Sequence, residues 1–124
     1  MLNTENVIPD FFYRIMLIRK KKTEFLNCHL AGFGHTEGYT VLDQLKPGDK
    51  LTMLREDENK YDHEAIALFY GDLHIGYIPQ QYNSLLAMFM DFGYTDIFEC
   101  VITAIDKTQH PNEQVQIRVN LLRR

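Results

Sequence analysis

Ala65-Ile66-Ala67-Leu68-Phe69-Tyr70-Gly71-Asp72-Leu73-His74-Ile75-Gly76-Tyr77-Ile78 is the stretch that decides the fold. Ala65 to Tyr70 is apolar at odd and even positions alike, which suits a strand covered on both faces. Gly71-Asp72 places glycine first, as a type II′ hairpin turn prefers, and Leu73 to Ile78 reads as the return strand. Upstream of the hairpin, Lys50 to Glu56 reads as a strand entered from the Lys46-Pro47-Gly48-Asp49 turn. A short helix is expected over Thr40 to Leu45 and the first core strand over Phe25 to Phe33. Between them Gly32, Gly34 and Gly38 surround His35, Thr36 and Glu37, so the backbone turns tightly there.

Downstream, Pro79 suits a first helical position. Tyr82, Leu85, Leu86, Phe89 and Met90 recur at the spacing of an amphipathic helix, which Gly93 is suited to end. Ile97 to Ile105 reads as a strand, and Asp106 to Glu113, containing Pro111-Asn112, as a loop. Val115, Ile117, Val119 and Leu121 alternate with polar residues in a half-buried last strand. The resulting order, β, short α, β, β, β, α, β, β, predicts a mainly-β fold with helices (α+β). Its economical packing is a small β-barrel plugged by one or two helices.

The 124 residues, 45% hydrophobic and 24% charged, fit one globular domain. That domain is expected over residues 25–124, preceded by an N-terminal arm over 1–24. The arm carries Phe11, Phe12 and Ile15 and the basic run Arg19 to Lys22, and it reads as a solvated extension, a phosphate-contacting arm, or a partner-docking or self-association segment. Net charge is −4, but from Phe25 to Ile105 twelve acidic residues face four basic ones. Such a core should not bind phosphate backbones indiscriminately. The longest apolar run falls far short of the roughly 20 residues that span a bilayer, so no membrane partner and a cytoplasmic location are expected. Cys28 and Cys100 lie in apolar, strand-like segments and read as buried free thiols.

No nucleophile elbow, phosphate-binding loop or paired-histidine zinc motif accompanies the five histidines, so no catalytic residue is assigned and the chain is not expected to be an enzyme. Cys28-His29 gives only one short-spaced ligand pair, where zinc sites generally show two. The acid-rich loop Arg55 to Ile66 lacks the central glycine and terminal glutamate of a calcium loop. No metal and no cofactor is expected. The same loop offers Asn59, which tolerates left-handed turns, Asp62, a hydrogen-bond acceptor, and Tyr61, a ring for stacking with a phenol. These three either staple the loop or line a shallow polar and aromatic pocket.

Ala31-Gly32-Phe33 with Gly38, Leu45-Lys46-Pro47-Gly48-Asp49, Leu54-Arg55-Glu56, Asn59-Lys60-Tyr61-Asp62, Ala65-Ile66 and Gly76-Tyr77-Ile78-Pro79 resemble, in order and spacing, the HIRAN domain. The resemblance implies an OB-like barrel of a family found fused to fork-remodelling translocases and nucleases and as stand-alone bacterial proteins. It implies a non-catalytic module that binds the 3′ end of single-stranded DNA, in DNA repair or replication-fork processing. By motif, Asp62 matches the carboxylate that accepts from the terminal 3′-hydroxyl, Tyr61 the pocket tyrosine, and Asn59 a polar residue beside them. Tyr77, Gly34, His35 and Lys60 fall on the same site. Where DNA-binding members carry an Arg-Tyr-type pair this chain has Gly34-His35, and where they offer basic residues after the strand it has Gln80 and Gln81; Lys60 restores one charge. These departures and the acidic core motivate one rival, a protein-interaction or scaffold module that has lost DNA binding; the fused relatives suggest another, an accessory domain of a zinc-dependent hydrolase or helicase system.

Overall fold

The computed structural model describes residues 22–123. Six strands follow the sequence expectations closely at the centre of the chain and loosely at its ends. They are β1 (Lys22–His29), β2 (Lys50–Glu56), β3 (Ala65–Tyr70), β4 (Leu73–Tyr77), β5 (Phe98–Ile105) and β6 (Val115–Leu122), with one α-helix, α1 (Ser84–Asp91). The expected arm lies outside the described residues except for Lys22 to Glu24, which open β1. The bounds of β2 and β3 fall where the turn chemistry puts them, and Gly71 takes the positive φ of 60° expected of the hairpin turn.

All pairings are antiparallel, in the order β1-β6-β5-β2-β3-β4. The sheet is not closed by continuous pairing, so a mainly-β fold with few helices is what the structure bears out, and the expected small barrel is not confirmed. Beyond β1, Ala31 makes an isolated antiparallel bridge to Tyr77 at the end of β4, with N–H···O distances of 2.9 Å in both directions. That bridge curls the two edges of the order toward each other without continuous pairing. β1 also ends earlier than expected, because Gly32 (φ 73°) turns the chain into a short 3-10 helix at Phe33–His35. A second 3-10 helix at Glu37–Val41 stands in place of the expected helix over Thr40 to Leu45.

The core is built from β3, buried from Ala65 through Leu68, with Leu30, Phe33, Ile75, Ile102, Ile117 and Val119. Burial of each such aliphatic side chain contributes about 1.5–3 kcal/mol. Phe25, Phe89 and Phe98 meet edge-on or tilted, at centroid distances of 5.2–6.5 Å, and join β1, α1 and β5. α1 corrects the sequence reading twice. It starts at Ser84 rather than Pro79, which instead precedes a 3-10 turn at Gln80–Tyr82. Its inner face is Leu86, Ala87 and Met90, one residue out of phase with the expected stripe, so Tyr82 and Leu85 are exposed by about half (48% and 52%).

Glu99 gathers four strands. Lys22 Nζ of β1 lies 2.8 Å from it, Lys50 Nζ of β2 3.6 Å, and Asn120 Nδ2 of β6 donates to it at 3.4 Å. The hydrogen bond from Lys22 is the main reason its carboxyl titrates below the usual range.

Cys28 and Cys100 are free thiols, the first half-buried and the second buried. Burial pushes them up to about 11 and about 12, respectively. Both are therefore protonated at neutral pH, and thiolate is the reactive form. At pH 8 the native Cys100 is expected to alkylate roughly a thousandfold more slowly than an unfolded thiol of pKa about 8.5. Mass spectrometry after timed iodoacetamide exposure, with and without denaturant, checks this. Equal rates in the two conditions would contradict the burial of Cys100. Among the described residues no group of three or more His, Cys, Asp or Glu side chains is placed to hold a metal ion. No helix among them is long and apolar enough to cross a membrane.

Candidate functional site

The loop between β2 and β3 is shaped by its own side chains. Asn59 Oδ1 accepts from the backbone N–H of Tyr61 (2.8 Å) and of Asp62 (3.1 Å), and its Nδ2 donates to Glu56 Oε1 (3.1 Å). This is the local bonding by which Asn stabilises turns. These three bonds hold Asn59 in place and set the positions of its two neighbours. Tyr61 is left 88% exposed, its ring free to meet a partner.

Asp62 is half-buried and tied down. Oδ1 accepts from the backbone N–H of Glu64 (2.9 Å) and Oδ2 from Asn83 Nδ2 (2.8 Å). A carboxylate has about four acceptor positions, so this geometry fixes its orientation and leaves acceptor capacity toward the surface. Asn83 itself is 1% exposed, at the N-terminal end of α1.

Tyr77 arrives from the other direction, on β4. Its hydroxyl donates to Glu56 Oε1 (3.0 Å). Burial first, and then the bond to and charge of Glu56, raise its pKa above the ordinary tyrosine value. It therefore remains a neutral donor. Glu56 thus braces both Asn59 and Tyr77, while the bridge from Tyr77 to Ala31 brings Gly32 alongside. Gly32, Asn59, Tyr61, Asp62, Tyr77 and Gln80 enclose most of a cavity of about 270 Å³. It presents an exposed aromatic ring, an oriented carboxylate and a phenol, with Glu56 behind them. Such a site accepts hydrogen bonds from hydroxyls and repels phosphate.

The expected site residues thus fall into two adjoining cavities, with Lys60 outside both. Asn59, Tyr61, Asp62 and Tyr77 come together in one cavity. Gly34 and His35 line an adjoining one of about 570 Å³ with Tyr39 and His74, and Gly32 and Tyr77 belong to both. Lys60 is exposed and does not line the smaller cavity. A Cβ added at Gly34 would lie 3.1 Å from Pro111 Cβ, so any side chain there requires Pro111 to give way by a few tenths of an ångström. Glu56, Asn83 and the Ala31-Gly32 backbone are the contributors that sequence reasoning missed. The signal for Asn83 was present: it falls on the same helical spacing as Leu86, Ala87 and Met90.

A family model described as the HIRAN domain matches residues 23–121. Among solved structures, a protein from Lactobacillus plantarum is similar at 21% identity with a TM-score of 0.70, over 83% of this chain and 97% of that one. The HIRAN domain of human HLTF is similar at 16% identity with a TM-score of 0.59, over 83% and 80% of the two chains. At these identities the likeness is one of fold. No curated protein matches the chain.

Proposed function

The chain belongs to the HIRAN domain family, matched over residues 23–121, and on that premise we propose that it is a non-catalytic module that binds single-stranded DNA at its 3′ end. Membership supports a nucleic-acid-binding role. The observation that carries the finer reading is the pairing of an exposed Tyr61 ring with an Asp62 carboxylate oriented by Asn83 and the Glu64 amide. Tyr61 stacks on the terminal base. Asp62 accepts from the free 3′-hydroxyl, and its charge, with that of Glu56, excludes a phosphate at the same place. Such end recognition belongs with DNA repair or the processing of replication forks.

Fluorescence anisotropy at low salt, with matched oligonucleotides ending in a 3′-hydroxyl or a 3′-phosphate, tests the reading. The hydroxyl end is expected to bind about 10- to 100-fold tighter, the range of a charged hydrogen bond of about 1.5–3 kcal/mol. Tyr61→Ala is expected to cost roughly 1–3 kcal/mol of affinity for either end. Equal binding of the two ends would sink the end-recognition reading.

A second reading has its own observation. α1 leaves Leu85, Met88 and Phe92 exposed, three apolar side chains along one side of a short helix. A protein partner or a second copy could cover them. Light scattering of the parent and of Phe92→Ser, a substitution at a 75% exposed position, separates that case, and a monomeric parent counts against self-association.

A further inference from the structure

α1 and the turn after it carry an apolar surface that the rest of the described chain leaves open. Four of the eight large hydrophobic side chains exposed among the described residues, Leu85, Met88, Phe92 and Tyr94, fall within ten residues of one another. Leu85, Met88 and Phe92 share one side of the helix by their spacing. Concentrations of this kind mark interaction surfaces. The start of β1 lies at the same end of the molecule. Lys22 pairs with Leu122, whose N–H donates to the Ile97 carbonyl at 2.6 Å. Lys22 therefore stands about two strand spacings, roughly 10 Å, from Ile97. Tyr94 is three residues before Ile97, and its ring meets Phe89, which in turn meets Phe25 of β1 (6.3 and 6.5 Å between centroids).

The 21 residues that precede Lys22 thus join the fold beside this surface, and their chemistry fits it. Seven of the eight side chains in residues 11–18 are hydrophobic. Ile15 to Ile18 stand four to seven residues before Lys22, a reach of about 13–25 Å in extended chain, enough to arrive at Tyr94 and Phe92. The charges are complementary as well. Arg19-Lys20-Lys21 follow the apolar segment, whereas residues 84–100 hold no Lys or Arg and three carboxylates, Asp91, Asp96 and Glu99. Lys22, which closes the basic run, already pairs with Glu99 at 2.8 Å. We propose that residues 11–18 of the same chain dock on the surface of Leu85, Met88, Phe92 and Tyr94, with the basic run laid along its acidic flank. Mutual covering removes two apolar surfaces from water. The helix so covered opens on Asn83, the residue that orients Asp62.

The chain has no tryptophan, so Phe12→Trp in the full chain gives a single indole emission that reports on this segment. Its maximum is expected to lie to the blue of the same protein in urea, and to stay there on dilution from micromolar to nanomolar concentration. Phe92→Ser and Leu85→Ser, at positions 75% and 52% exposed, are each expected to shift the maximum to the red while the circular dichroism of the sheet is kept. A maximum that already matches the value in urea, or a blue shift that neither substitution moves, overturns the docking. A blue shift lost on dilution assigns the surface to a second copy and overturns docking within one chain.

Discussion

Gly76→Ala is expected to destabilise the protein by about 3 kcal/mol or more, the upper range of overpacking. A Cβ at Gly76 would stand 2.1 Å from Leu30 Cδ2 and 2.6 Å from the backbone oxygen of Ala31. Leu30 is fully buried, so its side chain has nowhere to retreat. The Ala31 oxygen is held by the bridge to Tyr77, so moving it breaks the pairing that brings Gly32 to the candidate site. The glycine is thus required by close approach rather than by its own backbone angles, since its φ is not positive. Urea denaturation followed by circular dichroism measures the change. A midpoint equal to that of the parent would mean that β1 and β4 do not come this close.

Asp62→Ala is expected to cost about 2–3 kcal/mol of stability, because a buried amide loses a charged partner. Asn83 Nδ2 would be left without its 2.8 Å acceptor, and Asn83 Oδ1 already has no partner among the described residues. Asp62→Asn is expected to cost less, about 1 kcal/mol, since an amide oxygen can still accept from Asn83. Tyr61→Ala, at an 88% exposed position, is expected to stay within about 0.5 kcal/mol of the parent. The same denaturation series ranks the three. An Asp62→Ala protein as stable as Tyr61→Ala would show that the carboxylate does not hold Asn83.

The centre of the fold was legible because local signals agreed there. Pro47-Gly48-Asp49 and Gly71-Asp72 mark the turns before β2 and after β3, and the continuous apolar run between the loop and the hairpin turn is buried from Ala65 to Leu68. The helix was misread because its apolar residues support two phases one residue apart. The phase that forms turns inward a polar residue, Asn83, and leaves Leu85 outside. Hydrophobic patterning ranks that phase lower, and in it Asn83 donates a hydrogen bond to Asp62. Such conflicts between local preference and final structure tend to occur at functional sites. β1 was misplaced for a different reason. Its register shifts between Glu24 and Leu26, so alternation fails across Phe25. In the site, the β2–β3 loop was readable from Asn59, Tyr61 and Asp62. The approach of Gly32 depends on a pairing between distant segments, which no local pattern encodes.

The Ala31–Tyr77 bridge has a dynamic consequence. It is an isolated bridge rather than part of a ladder, so two backbone hydrogen bonds of 2.9 Å make the junction. The small cavity needs β4 and the segment after β1 to be joined, so its lifetime is that of this clasp. A ligand touching both Gly32 and Tyr77 binds only the clasped population and thereby enriches it. Recognition at the proposed site and the fastening of the sheet's two edges then become a single equilibrium, and whatever loosens β1 at its far end also weakens binding there.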